Sequence, residues 1–72
     1  MAMWWLYICE KSERLYVGIT TDLDNRLRQH GNPPLLYKEG PLTREEAVFR
    51  ERKIKGWSRA KKLQLIANGP SK

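Results

Sequence analysis

Met3-Trp4-Trp5-Leu6-Tyr7-Ile8-Cys9, then Glu10-Lys11-Ser12-Glu13-Arg14, then Leu15-Tyr16-Val17-Gly18-Ile19-Thr20: two runs of aromatic and β-favouring residues flank a short polar segment. This pattern predicts a β-hairpin with residues 10–14 as its loop. Side chains alternate between the faces of a strand, so Leu6 and Ile8 share one face with Leu15, Val17 and Ile19. Those are the expected core residues. Tyr7 and Tyr16 then fall on the opposite face with Gly18, whose missing side chain leaves space for a pocket between them.

Working outward, Thr20-Thr21-Asp22 supplies an N-cap with an acid in the first turn, and Gly31 supplies a stop. Leu23 and Leu27, four apart, anchor a helix of about ten residues between them. Arg26 and His30 have the same spacing and project from one face. Pro33-Pro34 blocks helix and leads into a third strand, Leu35-Leu36-Tyr37-Lys38. Thr43-Arg44-Glu45-Glu46 fits a capping box, opening a helix that runs to Lys55 before Gly56. Its apolar stripe is Ala47, Val48 and Ile54, and Glu51 lies on the same stripe. A carboxylate facing a core is costly unless it is paired, hydrogen-bonded or bound to a metal. Ser58 caps a last helix, with Ala60, Leu63, Ile66 and Ala67 expected inward and Arg59, Lys61 and Lys62 outward. Residues 1–68 therefore read as a single domain, and residues 69–72, from Gly69-Pro70, as a frayed tail.

The net charge of +6, from 14 basic and 8 acidic residues, is unevenly placed. Residues 1–43 carry five of each sign; residues 44–72 carry nine basic and three acidic. A one-sided basic surface attracts polyanions, although a lysine-rich solvated helix has the same composition. The longest apolar run, Met3 to Cys9, is strand length and far short of the roughly 20 residues that span a bilayer. One cysteine excludes an internal disulfide framework and a cysteine zinc cluster. With no secretory-signal layout at the N-terminus, a reducing, cytoplasmic setting is the expectation.

The spacing of Trp5-Leu6-Tyr7, Tyr16-Val17-Gly18, Arg26, His30 and Glu51 resembles the GIY-YIG nuclease superfamily, in particular its short single-domain bacterial members. Tyr16 to Leu23 with Arg26-Leu27 and His30 is similar to their central block. Glu51-Arg52-Lys53-Ile54-Lys55 with Trp57-Ser58-Arg59-Ala60-Lys61-Lys62 is similar to their C-terminal block. The resemblance implies an α+β fold, a small three-stranded antiparallel sheet flanked by helices. It also implies an endonuclease, with phosphodiester hydrolysis aided by one Mg2+ or Mn2+ ion. Glu51 matches the metal-ligand glutamate, and one carboxylate suffices for a hard cation that keeps water and phosphate oxygens. Tyr16 matches the tyrosine that activates the attacking water, and Arg26 the arginine that grips the scissile phosphate. Tyr7 matches the hydrogen-bonding tyrosine of the first triplet, and His30 a position that places phosphate or shuttles a proton. Arg26, Arg52, Lys55, Arg59, Lys61 and Lys62 are the expected nucleic-acid contacts.

Three departures stand out. The first triplet reads Trp5-Leu6-Tyr7 instead of Gly-Ile-Tyr. Ile19 occupies a position where some relatives carry an assisting lysine. Gly31-Asn32-Pro33-Pro34 crosses from His30 to Leu35 where relatives usually have a longer segment. The leading expectation is a metal-dependent endonuclease on DNA, structured or damaged DNA included, as in repair; RNA ranks second. The alternatives are a non-catalytic nucleic-acid-binding module on the same scaffold, and a domain whose protein partner supplies substrate recognition, with Trp4 and Trp57 as candidate anchors.

Overall fold

The computed structural model describes residues 2–69; residues 70–72 of the expected tail lie outside them. Six elements follow in order: β1 (Trp4–Lys11), β2 (Arg14–Thr20), α1 (Leu23–Gln29), β3 (Leu35–Leu42), α2 (Arg44–Lys55) and α3 (Arg59–Asn68). The strands form one antiparallel sheet in the order β2-β1-β3, so the hairpin is joined by β3 along the other side of β1. This is the α+β architecture expected from the sequence.

The central strand is covered on both faces. Leu6 and Ile8 are fully buried in a core with Val17, Tyr37 and Ile54, and Leu15, Ile19, Leu42, Trp57, Leu65 and Ile66 pack around it. This core lies between the sheet and helices α2 and α3. Each fully buried Leu or Ile contributes about 1.5–3 kcal/mol, so few residues carry the stability. Tyr7 and Cys9, on the opposite face, are buried as well. The pairings Leu6↔Ile19, Ile8↔Val17, Tyr7↔Gly18 and Cys9↔Tyr16 reproduce the face assignment read from alternation.

The hairpin turn is tighter than the sequence suggested. Glu10, Lys11 and Arg14 belong to the strands, and only Ser12 and Glu13 turn, with φ of 53° and 64°. Two successive left-handed residues match the twist of the flanking strands, the arrangement usually served by Asn-Gly. Helix α1 spans seven residues, with the Asp22 side chain accepting from the Asn25 N–H at 3.1 Å. It stops at the expected place because Gly31 (φ 84°) builds a Schellman motif: Asn32 N–H donates to Leu27 O at 2.8 Å and Gly31 N–H to Arg28 O at 3.1 Å. His30 is the C-cap of this helix. Strand β3 continues through Gly40-Pro41 to Leu42, four residues beyond the expected end; as an edge strand it tolerates a proline. The capping box at Thr43 is present, with Thr43 N–H to Glu46 Oε1 at 2.9 Å and Glu46 N–H to Thr43 Oγ1 at 3.1 Å.

Helix α3 packs on a different face from the one expected. Leu65 and Ile66 face the core and Lys62 is half-buried, whereas Ala60, Leu63 and Ala67 are exposed. Apolar residues occur all round this helix, so periodicity alone does not select a face. Trp57 at its entrance, and Arg59 Nη1 donating to Glu13 O at 3.3 Å, set its rotation.

A polar network ties β3 to α2. The Tyr37 hydroxyl donates to Glu39 Oε1 at 2.6 Å, and Arg50 forks onto the same carboxylate, Nε to Oε2 at 2.7 Å and Nη2 to Oε1 at 2.8 Å. The Arg50 hydrogen bonds hold Glu39 below its ordinary carboxyl range despite its burial. Burial and the Glu39 hydrogen bond push the Tyr37 phenol up to about 12.

Two predictions follow from the turn and the network. Glu13→Gly relieves a left-handed side-chain residue and stabilises the domain by about 0.5–1 kcal/mol, a rise of a few degrees in Tm by thermal melting. Glu39 has a depressed folded pKa, so its contribution is complete above its ordinary value of 4.5 and is lost as pH falls below it. Tyr37 has a raised one, so its contribution is lost as pH climbs from 10 towards about 12. Melting curves across pH should fall off in both windows, and Glu39→Gln should flatten the acid limb.

Candidate functional site

The site is built around Tyr7. Its register partner on β2 is Gly18, and a Cβ at position 18 would stand 2.5 Å from the Tyr7 hydroxyl oxygen and 2.7 Å from its Cζ. The ring therefore lies across the space that any other residue at position 18 would fill. Tyr7 is 6% exposed, while Tyr16, opposite Cys9 on the same face, is 48% exposed. Tyr7, Tyr16 and His30 line one cavity of about 280 Å³, together with Cys9 and Pro33. His30 reaches it because the Schellman motif turns the chain directly after α1, and Pro33 closes the same rim.

Arg26 and Glu51 do not line this cavity, but both act on its central phenol. Burial raises the Tyr7 pKa above its usual value, the positive charge of Arg26 opposes that rise, and Cys9 and Glu51 add to it. Tyr7 therefore stays protonated at neutral pH and can donate a hydrogen bond. Arg26 is half-buried on α1, one turn before the C-cap. Glu51 extends from α2 with its side chain 23% exposed, 3.3 Å from the exposed ammonium of Lys55 one turn on. Its position on the inward stripe is thus met partly by a lysine, and the pair is open to solvent on the Lys55 side. Burial pushes the Cys9 thiol up, against the pull of Lys11, so Cys9 is a neutral packing residue of the cavity wall.

The donor set suits one kind of ion. Among the described residues no three His, Cys, Asp or Glu side chains are grouped to hold a metal. A hard divalent cation that retains waters and takes phosphate oxygens needs no such cage, and a single half-buried carboxylate fits it.

The expected nucleic-acid contacts divide. Arg26 belongs to the site. Lys55 is held by Glu51, Arg59 by Glu13 O, and the Lys61 ammonium lies 4.5 Å from the centre of the Trp57 ring. Arg52 is exposed on α2, and Lys62, expected outward, is half-buried for the reason given above. Trp4, Trp5 and Trp57 are all half-buried, neither enclosed in the core nor fully exposed. The residue that sequence reading missed is Arg50. The inward positions of α2 are Ala47, Arg50, Glu51 and Ile54, so the stripe carries two charges, and the i, i+3, i+4, i+7 spacing from Ala47 was the available signal.

The sheet, the two strand tyrosines, the arginine on the following helix and the glutamate on the next define a nuclease-family domain. The chain matches the family model of the GIY-YIG catalytic domain over residues 3–64 and belongs to that family. It is similar to a UPF0213 protein of Haloquadratum walsbyi, 40% identical, with 90% of this chain and 88% of the relative aligned. A UPF0213 protein of Staphylococcus saprophyticus is 36% identical over 90% of this chain and 95% of its own length. The UPF0213 protein YhbQ of Escherichia coli O8 is 32% identical over 96% and 82%. No solved structure matches. An alignment of 78 positions that takes in 90% of a 72-residue chain leaves about 13 positions of the relative without a counterpart. Similar gaps recur against the other two, so this chain is shortened within the matched span. No helix among the described residues is long and apolar enough to cross a membrane.

Gly18→Ala should force Tyr7 out of its place or strain the hairpin. The expected cost is about 1–3 kcal/mol in chemical denaturation, with the Tyr7 ring signals displaced in NMR spectra. A variant with wild-type stability and unmoved Tyr7 signals would contradict the contact.

Proposed function

We propose that this chain is a metal-dependent endonuclease that hydrolyses phosphodiester bonds in nucleic acid, DNA before RNA, with structured or damaged DNA among its substrates. The observation that carries this reading is the arrangement around Tyr7. A buried, protonated phenol shares a cavity with an exposed tyrosine and a histidine, and feels both Arg26 and Glu51.

In this reading the scissile phosphate lies over the mouth of the cavity. Arg26 binds a non-bridging oxygen and offsets the charge that grows there in the transition state. Tyr7 donates a hydrogen bond towards the attacking or phosphate oxygen and does not take up a proton. Tyr16, the more exposed phenol, takes the proton of the attacking water as it hands its own hydroxyl proton on towards His30 and solvent. His30, at the rim, positions phosphate or passes that proton to solvent. Glu51 would hold one Mg2+ or Mn2+ ion, which when bound supplies charge neutralisation at the phosphoryl oxygens. With Glu51 so engaged, Lys55 would be free to meet the nucleic-acid backbone, alongside Arg52 on the same helix.

A second reading has its own support. The roughly 13 missing positions remove surface that the relatives retain, which favours a binding module that keeps the scaffold without turnover. A nicking assay on supercoiled and branched DNA in Mg2+ and Mn2+ separates the two. The endonuclease reading expects metal-dependent cleavage that drops on the order of 10²-fold or more in Glu51→Ala and in Arg26→Ala. Equal residual cleavage by wild type and Glu51→Ala would sink it. The binding-module reading then expects retention of DNA that weakens steeply with salt.

A further inference from the structure

The inward stripe of α2 carries two adjacent charged residues with different partners. Ala47 and Ile54 are fully buried and bring the helix close to the sheet. Between them, Arg50 is forked onto Glu39 of β3, and Glu51 follows it on the same inward face with its side chain 23% exposed. Successive residues on a helix are about 100° apart around its axis. Fixing Arg50 on the β3 side therefore fixes the direction in which Glu51 leaves the helix.

Apolar contacts alone do not fix that direction tightly, because they are non-directional. Ala47 is small and Ile54 sits near the far end of α2, so both allow the helix to roll. A bidentate arginine–carboxylate pair is directional in two donors at once. Its acceptor is itself held by the Tyr37 hydroxyl at 2.6 Å, so the Glu39 carboxylate cannot swing freely. The lever is short but consequential. With side chains included a helix has a radius of about 5–6 Å, so a roll of about 10° moves a carboxylate by about 1 Å. Displacements of that size at a reacting centre can cost about 10²-fold in rate. As a source of stability alone the network is a poor choice, since well-packed apolar residues serve a buried position as well or better.

We infer that Arg50, held by Glu39 and Tyr37, is a positioning residue that locks the rotation of α2 and so fixes the direction in which Glu51 leaves the helix. The catalytic part of this inference rests on the reading of Glu51 as the metal-holding carboxylate; its geometric part does not.

The test uses two variants of the full chain. Glu39→Met/Arg50→Met removes the directional lock while keeping apolar volume, and Arg50→Lys keeps the charge but loses the fork. Both are compared with wild type and Glu51→Gln, well below the melting temperature. In both, kcat for cleavage is expected to fall 10- to 100-fold with KM for DNA unchanged. The Glu51 side-chain carboxyl signal in NMR spectra is expected to leave its wild-type position, without metal or DNA present. The Met pair strands the Tyr37 hydroxyl and is expected to lower Tm, so Arg50→Lys, which keeps Glu39 as that hydroxyl's acceptor, separates aiming from stability. A Glu51 carboxyl signal at its wild-type position in the folded variants, or wild-type kcat in an active enzyme, would overturn the inference. If wild type cleaves no faster than Glu51→Ala, the nuclease reading fails by itself, and the Glu51 signal still decides whether Arg50 aims Glu51.

Discussion

Everything in this domain is arranged around a central strand buried on both faces. Leu6 and Ile8 hold α2 and α3 against one side of β1, and Tyr7 and Cys9 lie under a cavity on the other. A strand alternates strictly, so no residue of β1 between Leu6 and Cys9 can change without touching either the core or the site. In so short a chain this couples stability to function more tightly than in a larger domain, where separate layers share those tasks. The Tyr7–Gly18 contact shows the coupling most directly. The cross-strand pair that seats the phenol is also a rung of the hairpin on which the sheet is built.

The electrostatics of the site follow from the same layout. A phenol moved out of water keeps its proton, and the nearby arginine does not reverse that. The two strand tyrosines therefore have unequal environments although they share a face. One is enclosed and the other stands at the surface.

Much of this was legible in the sequence, for identifiable reasons. Period-2 alternation separated Leu6, Ile8, Val17 and Ile19 from Tyr7, Tyr16 and Gly18, and the structure has the same partition. The capping box at Thr43 and the glycines at 31 and 56 marked helix ends because each satisfies specific backbone groups. Glu51 stood out because a charge on an apolar stripe needs a partner. Arg50, one position earlier, did not, because its partner Glu39 lies on a strand whose length the sequence understated. That strand runs on through Gly40-Pro41 to Leu42, past the Lys38 at which the sequence pattern ended it. The face of α3 was not legible either, since its apolar residues surround the axis and the choice among them is made by contacts from the hairpin turn and Trp57.

The Schellman motif after α1 gives the chain a joint. By Asn32 the helix has closed its own last carbonyls, and by Leu35 β3 has begun to pair with Cys9. The residues between answer only to the gap they must cross, with Pro34 O accepting from Glu10 N–H at 3.1 Å on the strand side. Since loop closure costs grow slowly with length, a segment inserted here would leave the core as it is. It is likewise the natural seam for grafting: a loop set in after Asn32 would hang over the rim formed by His30 and Pro33.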